Sequence, residues 1–215
     1  MMDASLSRSI RTPESRTAAA AAAHGRRRRG NRTLTAMRHR SLPGARGRVR
    51  PLTLLGDPVL RAPGAEVTDF GPELAALVED MFSTMYAARG VGLAAHQVGE
   101  ALRVFVYDCE DDEDVRHLGH LVNPRLVAAD GVRVRGPEGC LSLPGLEAAT
   151  PRYDRTVLEG RTVTGEPLRV EGTGWFARCL QHEYDHLGGG LYVDRVDGWR
   201  HHRVMRQAAR AEWAR

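Results

Sequence analysis

The chain contains no lysine, only three cysteines, and no apolar run approaching the roughly 20 residues needed to cross a bilayer. Without such a run a membrane span is excluded. Cys109, Cys140 and Cys179 form an odd and sparse set, which argues against a disulfide framework and suits a reducing compartment. There a cysteine serves as a ligand, a nucleophile or core filler. The missing lysine, with abundant alanine and glycine, reads as the coding bias of a GC-rich genome and not as a folding requirement. No apolar stretch followed by a small-residue cleavage site marks secretion.

Acidic residues are scarce as well, but only at one end. Residues 1–50 hold 13 basic residues against Asp3 and Glu14, a net of +11; residues 51–215 hold 18 basic and 25 acidic, a net of −7. The overall charge of +4 therefore belongs to the N-terminal segment. With an alanine run at 18–23, an arginine run at 26–29 and no apolar periodicity, that segment cannot bury enough surface to offset its ordering entropy. A disordered extension is expected, with Met37 a candidate true start. An organelle transit peptide and a basic arm for nucleic acid are the competing readings.

What is present is one domain's worth of ordinary globular sequence, 42% apolar and 27% charged. The domain is expected over 51–198, followed by a basic helix within 199–215. Leu74, Leu77, Val78, Met81, Phe82 and Met85 repeat at helical spacing, with Pro72 suited to the first turn and Gly90 to the exit. Short β-branched runs at 102–107, 120–127, 132–135, 155–159 and 168–170 read as strands, and the acidic 108–114 as a solvated loop. A second helix is expected over 174–187, capped by Thr173 and stopped by Gly188, Gly189 and Gly190. Strands grouped before a helix, with no β-α-β alternation, indicate an α+β domain with antiparallel sheet.

That second helix carries the chemistry. His182, Glu183 and His186 read H-E-x-x-H, and residues four apart share one helix face, so both imidazoles can grip one ion. Glu183 stands where its carboxylate can take a proton from a metal-activated water. A catalytic metal needs a third protein ligand and an open position. Downstream, Asp194, Asp197, His201 and His202 are separated from the helix by its glycine stop, and none fits an H-x-x-G-x-x-H continuation. Upstream, Cys140 lies in a Gly-Cys-Leu-Ser stretch, and a thiolate flanked by glycine suits close approach to an ion. One Cys and two His in a tetrahedral site suggest zinc on ligand rules alone.

Three blocks, residues 90–97 (GVGLAAHQ), 138–142 (EGCLS) and 181–186 (QHEYDH), occur in this order, and together they resemble the three signatures of the peptide deformylase family. The similarity spans about 51–198 and is highly specific as a set. It implies antiparallel sheets packed around a central helix that bears the H-E-x-x-H motif. It implies a cytoplasmic hydrolase that removes the formyl group from N-formylmethionyl nascent peptides. Cys140, His182 and His186 would hold the metal, and a metal-bound water would attack the formyl carbon while Glu183 takes its proton and returns it to the leaving amine. The Gln97 amide and the Leu141 N–H would donate to the oxyanion. Gly90 and Gly92 would leave room for substrate backbone beside Val91 and Gly92, with Gly139 making a similar contact. Val91, Trp175 and Cys179 would wall the methionine pocket. The resemblance implies Fe(II) in the cell, with Zn(II), Ni(II) or Co(II) as substitutes.

Around this centre, Ser142 and Glu138 are supporting candidates, with Glu138 able to pair with Arg152; Asp185 either orients a ligand histidine or faces solvent. Cys109 has no assigned role beyond core or loop. Arg200, Arg203, Arg206 and Arg210 could form a cationic stripe for docking on the ribosome, or a solvated face of a helix anchored by Trp199 and Trp213. A zinc endopeptidase and a non-catalytic deformylase-like binder of ribosomes or nucleic acid are the alternatives. No membrane partner is expected, and a monomer is the default oligomeric state.

Overall fold

The computed structural model describes residues 43–44 and 46–214. The expectations for the alanine and arginine runs, Met37 and a nucleic-acid arm lie outside the described residues.

Helix α1, Pro72–Ala87, buries every apolar residue that its spacing singles out, each adding about 1.5–3 kcal/mol of hydrophobic stabilisation. Its exit differs from expectation by one position. Arg89, at φ 57°, takes the left-handed conformation, its N–H reaching the Tyr86 carbonyl while the Gly90 N–H reaches Met85. Contacts with this helix also begin upstream of Pro51: Gly44 N–H donates to Glu79, Arg48 N–H to Asp80 and Arg50 N–H to Thr84 Oγ1, at 2.7–2.9 Å.

Strands β1 (Gly92–Ala94), β2 (Val104–Glu110), β3 (Arg116–Gly139), β4 (Glu147–Arg161) and β5 (Pro167–Thr173) form one antiparallel sheet in chain order. The fold is α+β, as expected. Successive side chains of β2 alternate between two helices, because a strand's period is two. Val104 and Val106 pack in the cluster built on α1, while Phe105, Tyr107 and Cys109 pack in the cluster built on α2 (Gly174–His186). Burial on both faces explains why the strand reads as a nearly continuous apolar run.

Two strand expectations are corrected. The runs at 120–127 and 132–135 belong to one bent strand, β3, whose register against β4 shifts three times. Asp130 and Gly131 look like a turn but make an irregularity: Gly131 sits at φ 83°, where a Cβ would strike the Asp154 carboxylate at 2.1 Å, and that carboxylate accepts the Val132 N–H. Strand β1 lies inside the GVGLAA stretch, where three fully covered residues give no alternation to read.

The last helix, α3, spans Gly198–Ala208 and is held by Val204 and Ala208. Trp199 does not anchor it; 63% exposed, it lies under the guanidinium groups of Arg200 and Arg203. Trp213 does make a tie, from its indole N–H to the Pro144 carbonyl at 3.2 Å. Among the described residues no helix is long and apolar enough to cross a membrane.

Candidate metal centre and cleft

Helix α2 starts without help from Thr173, which stands at the capping position but makes no side-chain cap. The cap comes from the acidic loop instead. Asp112 Oδ1 accepts the Trp175 N–H at 3.2 Å, and its carboxylate comes so near Gly174 that a Cβ there would meet it at 1.9 Å. At the other end only one of three glycines is demanded: Gly189, at φ 75°, would carry a Cβ 2.4 Å from the Arg61 carbonyl oxygen.

One turn of α2 separates His182 from His186, whose rings meet edge-on with centroids 5.0 Å apart. Cys140 emerges just past the end of β3 and brings its Sγ to 3.4 Å from His186 Nε2. One donor atom from each of Cys140, His182 and His186 falls within 4.8 Å of the others, and all three residues are buried. None of Asp194, Asp197, His201 or His202 joins this group.

His182 Nδ1 lies 2.7 Å from Glu138 Oε1, which leaves Nε2 for an ion. Glu138 is far from a surface residue, being 5% exposed. Arg152 grips it with two bonds, Nε to Oε2 at 3.0 Å and Nη2 to Oε1 at 2.5 Å, and Arg178 adds a third at 3.1 Å. Burial alone would raise the Glu138 carboxyl, but the bonds from His182 and Arg152 hold it well below the usual carboxylate range. Asp185 orients neither histidine; it bonds Arg152 at 2.6 Å and Arg195 beyond.

The donor set fits a divalent cation on its own chemistry. Burial favours a neutral His182, yet its neighbours Cys140 and Glu138 raise it well above its ordinary value, so the pocket favours positive charge at the ring. A cation held by the same donors would supply that charge.

Glu183 stands beside the three donors with its Oε2 buried and without a hydrogen-bond partner. Burial pushes its carboxyl up to about 7. The glycines of the first block explain how it is seated. A Cβ on Gly92 would strike Glu183 Oε1 at 2.3 Å, and one on Gly90 would strike Leu141 Cδ1 at 2.7 Å. Each glycine therefore makes room for a residue of another block, where the sequence suggested room for substrate.

Gln97 is fixed from both ends of its amide. Its Oε1 accepts the Ala94 N–H at 2.9 Å, and its Nε2 lies 3.4 Å from Cys140 Sγ and 3.3 Å from Ser142 Oγ. A cleft of about 600 Å³ opens over this centre, lined by Gly90, Val91, Gly92, Gln97, Gly139, Cys140, Leu141, Trp175, Cys179, His182 and Glu183. Of the site residues expected from sequence only His186 lies behind it, fully buried. Strand β1 is an edge of the sheet, and the Val91 carbonyl is taken by the Asp108 N–H at 2.9 Å. Gly92, next in the alternation, turns its peptide groups to the open side, toward the cleft. Sequence reasoning did not single out Arg89, Glu147 and Arg178, which also line the cleft, or Asp112 and the buried His96.

A family model described as polypeptide deformylase matches residues 49–202. The chain is 78% identical over 179 residues to peptide deformylase 2 of Streptomyces avermitilis, covering 83% of this chain and 96% of the relative. It is 74% identical over 179 residues to peptide deformylase 2 of Streptomyces coelicolor, covering 83% of this chain and 100% of the relative. Among solved structures, a peptide deformylase from Thermus thermophilus superposes with a TM-score of 0.68 at 42% identity, over 76% of this chain and 95% of that one.

Proposed function

The chain belongs to the peptide deformylase family, and on that premise we propose how its own residues remove the formyl group from the N-terminal formylmethionine of newly made proteins. Cys140, His182 and His186 would hold one metal ion, with Glu138 fixing the tautomer of His182. When bound, that ion supplies Lewis acidity, which brings water toward ionisation near neutral pH and polarises a carbonyl. Glu183, whose buried Oε2 has no hydrogen-bond partner, takes the proton of the attacking water and delivers it to the leaving amine. The Gln97 amide and the Leu141 N–H donate to the oxygen that gains charge. Extended substrate backbone pairs with Gly92 on the open side of β1, beside Val91 and close to Gly90, with Gly139 also lining the cleft. Val91, Trp175 and Cys179 enclose the methionine side chain.

The observation that carries this reading is the gathering of Cys140, His182 and His186 beside Glu183, from segments more than forty residues apart in the chain. Fe(II) is the resident ion, with Zn(II), Ni(II) or Co(II) as replacements in purified protein. The catalytic domain covers 51–198 and α3 with its tail is an appendage. Its arginines dock on the ribosome, the enzyme works in the cytoplasm, and it acts as a monomer.

Turnover of a formyl-Met peptide by wild type and by Glu183→Gln tests the mechanism: the variant keeps its metal and loses activity by 10³-fold or more. Undiminished turnover overturns the role of Glu183. A zinc endopeptidase using only H-E-x-x-H keeps its metal when Cys140→Ala is made, whereas the present reading requires the metal to be lost.

A further inference from the structure

His96 is fully buried, and neither of its ring nitrogens has a hydrogen-bond partner; the same holds for Nδ1 of His186. Buried polar atoms are ordinarily paired, so the pattern calls for a shared solution. Gly64 joins the two segments. Gly64 donates its N–H to the carbonyl of Leu187, the residue after His186, at 3.0 Å. A Cβ on the same Gly64 would stand 2.9 Å from His96 Cε1. Only glycine lets the two approach. The backbone of Ala62 stands by the His96 ring as an acceptor.

We propose that His96 is a positioning residue for the metal site, taking the Nδ1–H of His186 through one buried water and passing its own N–H toward Ala62. This rests on His186 being a ligand. The arrangement would do for His186 what Glu138 does for His182, fixing the tautomer and the ring plane with neutral groups in place of a carboxylate. A water joining the two imidazoles would have the two or more partners that buried waters require.

Cobalt(II) is the probe, read by chelator competition and by its visible absorption. His96→Leu is expected to weaken cobalt binding about tenfold or more and to alter the spectrum, while His96→Gln restores both. The proposal is overturned if His96→Leu binds cobalt like wild type, with an unchanged spectrum, while His186→Ala fails to bind. If His186→Ala still binds, the ligand assignment has failed instead, and this proposal with it. Should His96→Leu not fold, zinc-loaded wild type labelled with ¹⁵N-histidine decides. A slowly exchanging His186 Nδ1–H close to His96 supports the link, and a freely exchanging one removes it.

Discussion

Helices α2 and α3 use similar residues to opposite ends. Both carry two histidines, with one arginine on α2 and three on α3, yet α2 buries Arg178, Gln181, His182, Glu183 and His186, while α3 buries only Val204 and Ala208. On α2 almost every polar atom has a named partner, and those left over mark the reactive centre. On α3 the polar groups make one exposed ion pair, one bond from His201 to the Val193 carbonyl and contacts with a tryptophan face. Chemistry sits where the fold has taken polar groups out of water and then matched them, because mismatch there is expensive.

The sharpest way to break this contrast is to unmatch α2. Glu138→Ala leaves Arg152 and Arg178 facing one another without their shared anion, and urea unfolding of the ion-free protein should show a loss of about 3–5 kcal/mol. Next in size comes Gly92→Ala. A methyl group cannot share space with the Glu183 carboxylate, and a base displaced by about 1 Å should lower kcat roughly 100-fold with stability nearly unchanged.

The two carboxyls of the site titrate in opposite senses, which gives a finer test. Glu183 in the fold ionises at about 7, above the usual 4.3 or so of an unfolded chain. Between those values the unfolded chain has released a proton that the folded chain keeps. Ion-free protein therefore loses stability as pH rises through that window, by at most about 1.4 kcal/mol per unit from this group. Thermal melts of Glu183→Gln should lack this component. Glu138, held low by its cationic partners, acts the other way: its contribution is present above the unfolded value and lost as pH falls below it.

Changes on α3 should be smallest. Arg200→Ala removes an exposed pair with Asp197 and should shift stability by less than about 1 kcal/mol. Triple replacement of Arg203, Arg206 and Arg210 should leave turnover of a short formyl peptide unchanged while weakening salt-sensitive sedimentation with ribosomes. Unaltered sedimentation would leave α3 as a solvated face.

The sequence disclosed the elements whose signal is local. The helical spacing of α1 and the four-residue spacing of His182 and His186 need no tertiary knowledge to interpret. Cys140 is a candidate ligand from its glycine-flanked setting, but its meeting with residues 42 and more positions away is a tertiary event that no local signal encodes. Glu138 was undervalued for a related reason: a charged residue is ordinarily exposed, and its burial depends on Arg152 and Arg178 arriving from other elements. The runs at 120–127 and 132–135 read as two strands because the bulge at Asp130 and Gly131 uses the same residue types as a turn. Thr173 misled because a helix accepts a cap from any carboxylate that reaches it, and Asp112 comes from a loop remote in the chain.

That Asp112 bond ties the acidic loop to the helix that carries both imidazoles, about 12 Å from its capped end to His182 at 1.5 Å per residue. Removing the carboxylate leaves the Trp175 N–H uncapped, at a cost of about 1 kcal/mol at the start of that helix.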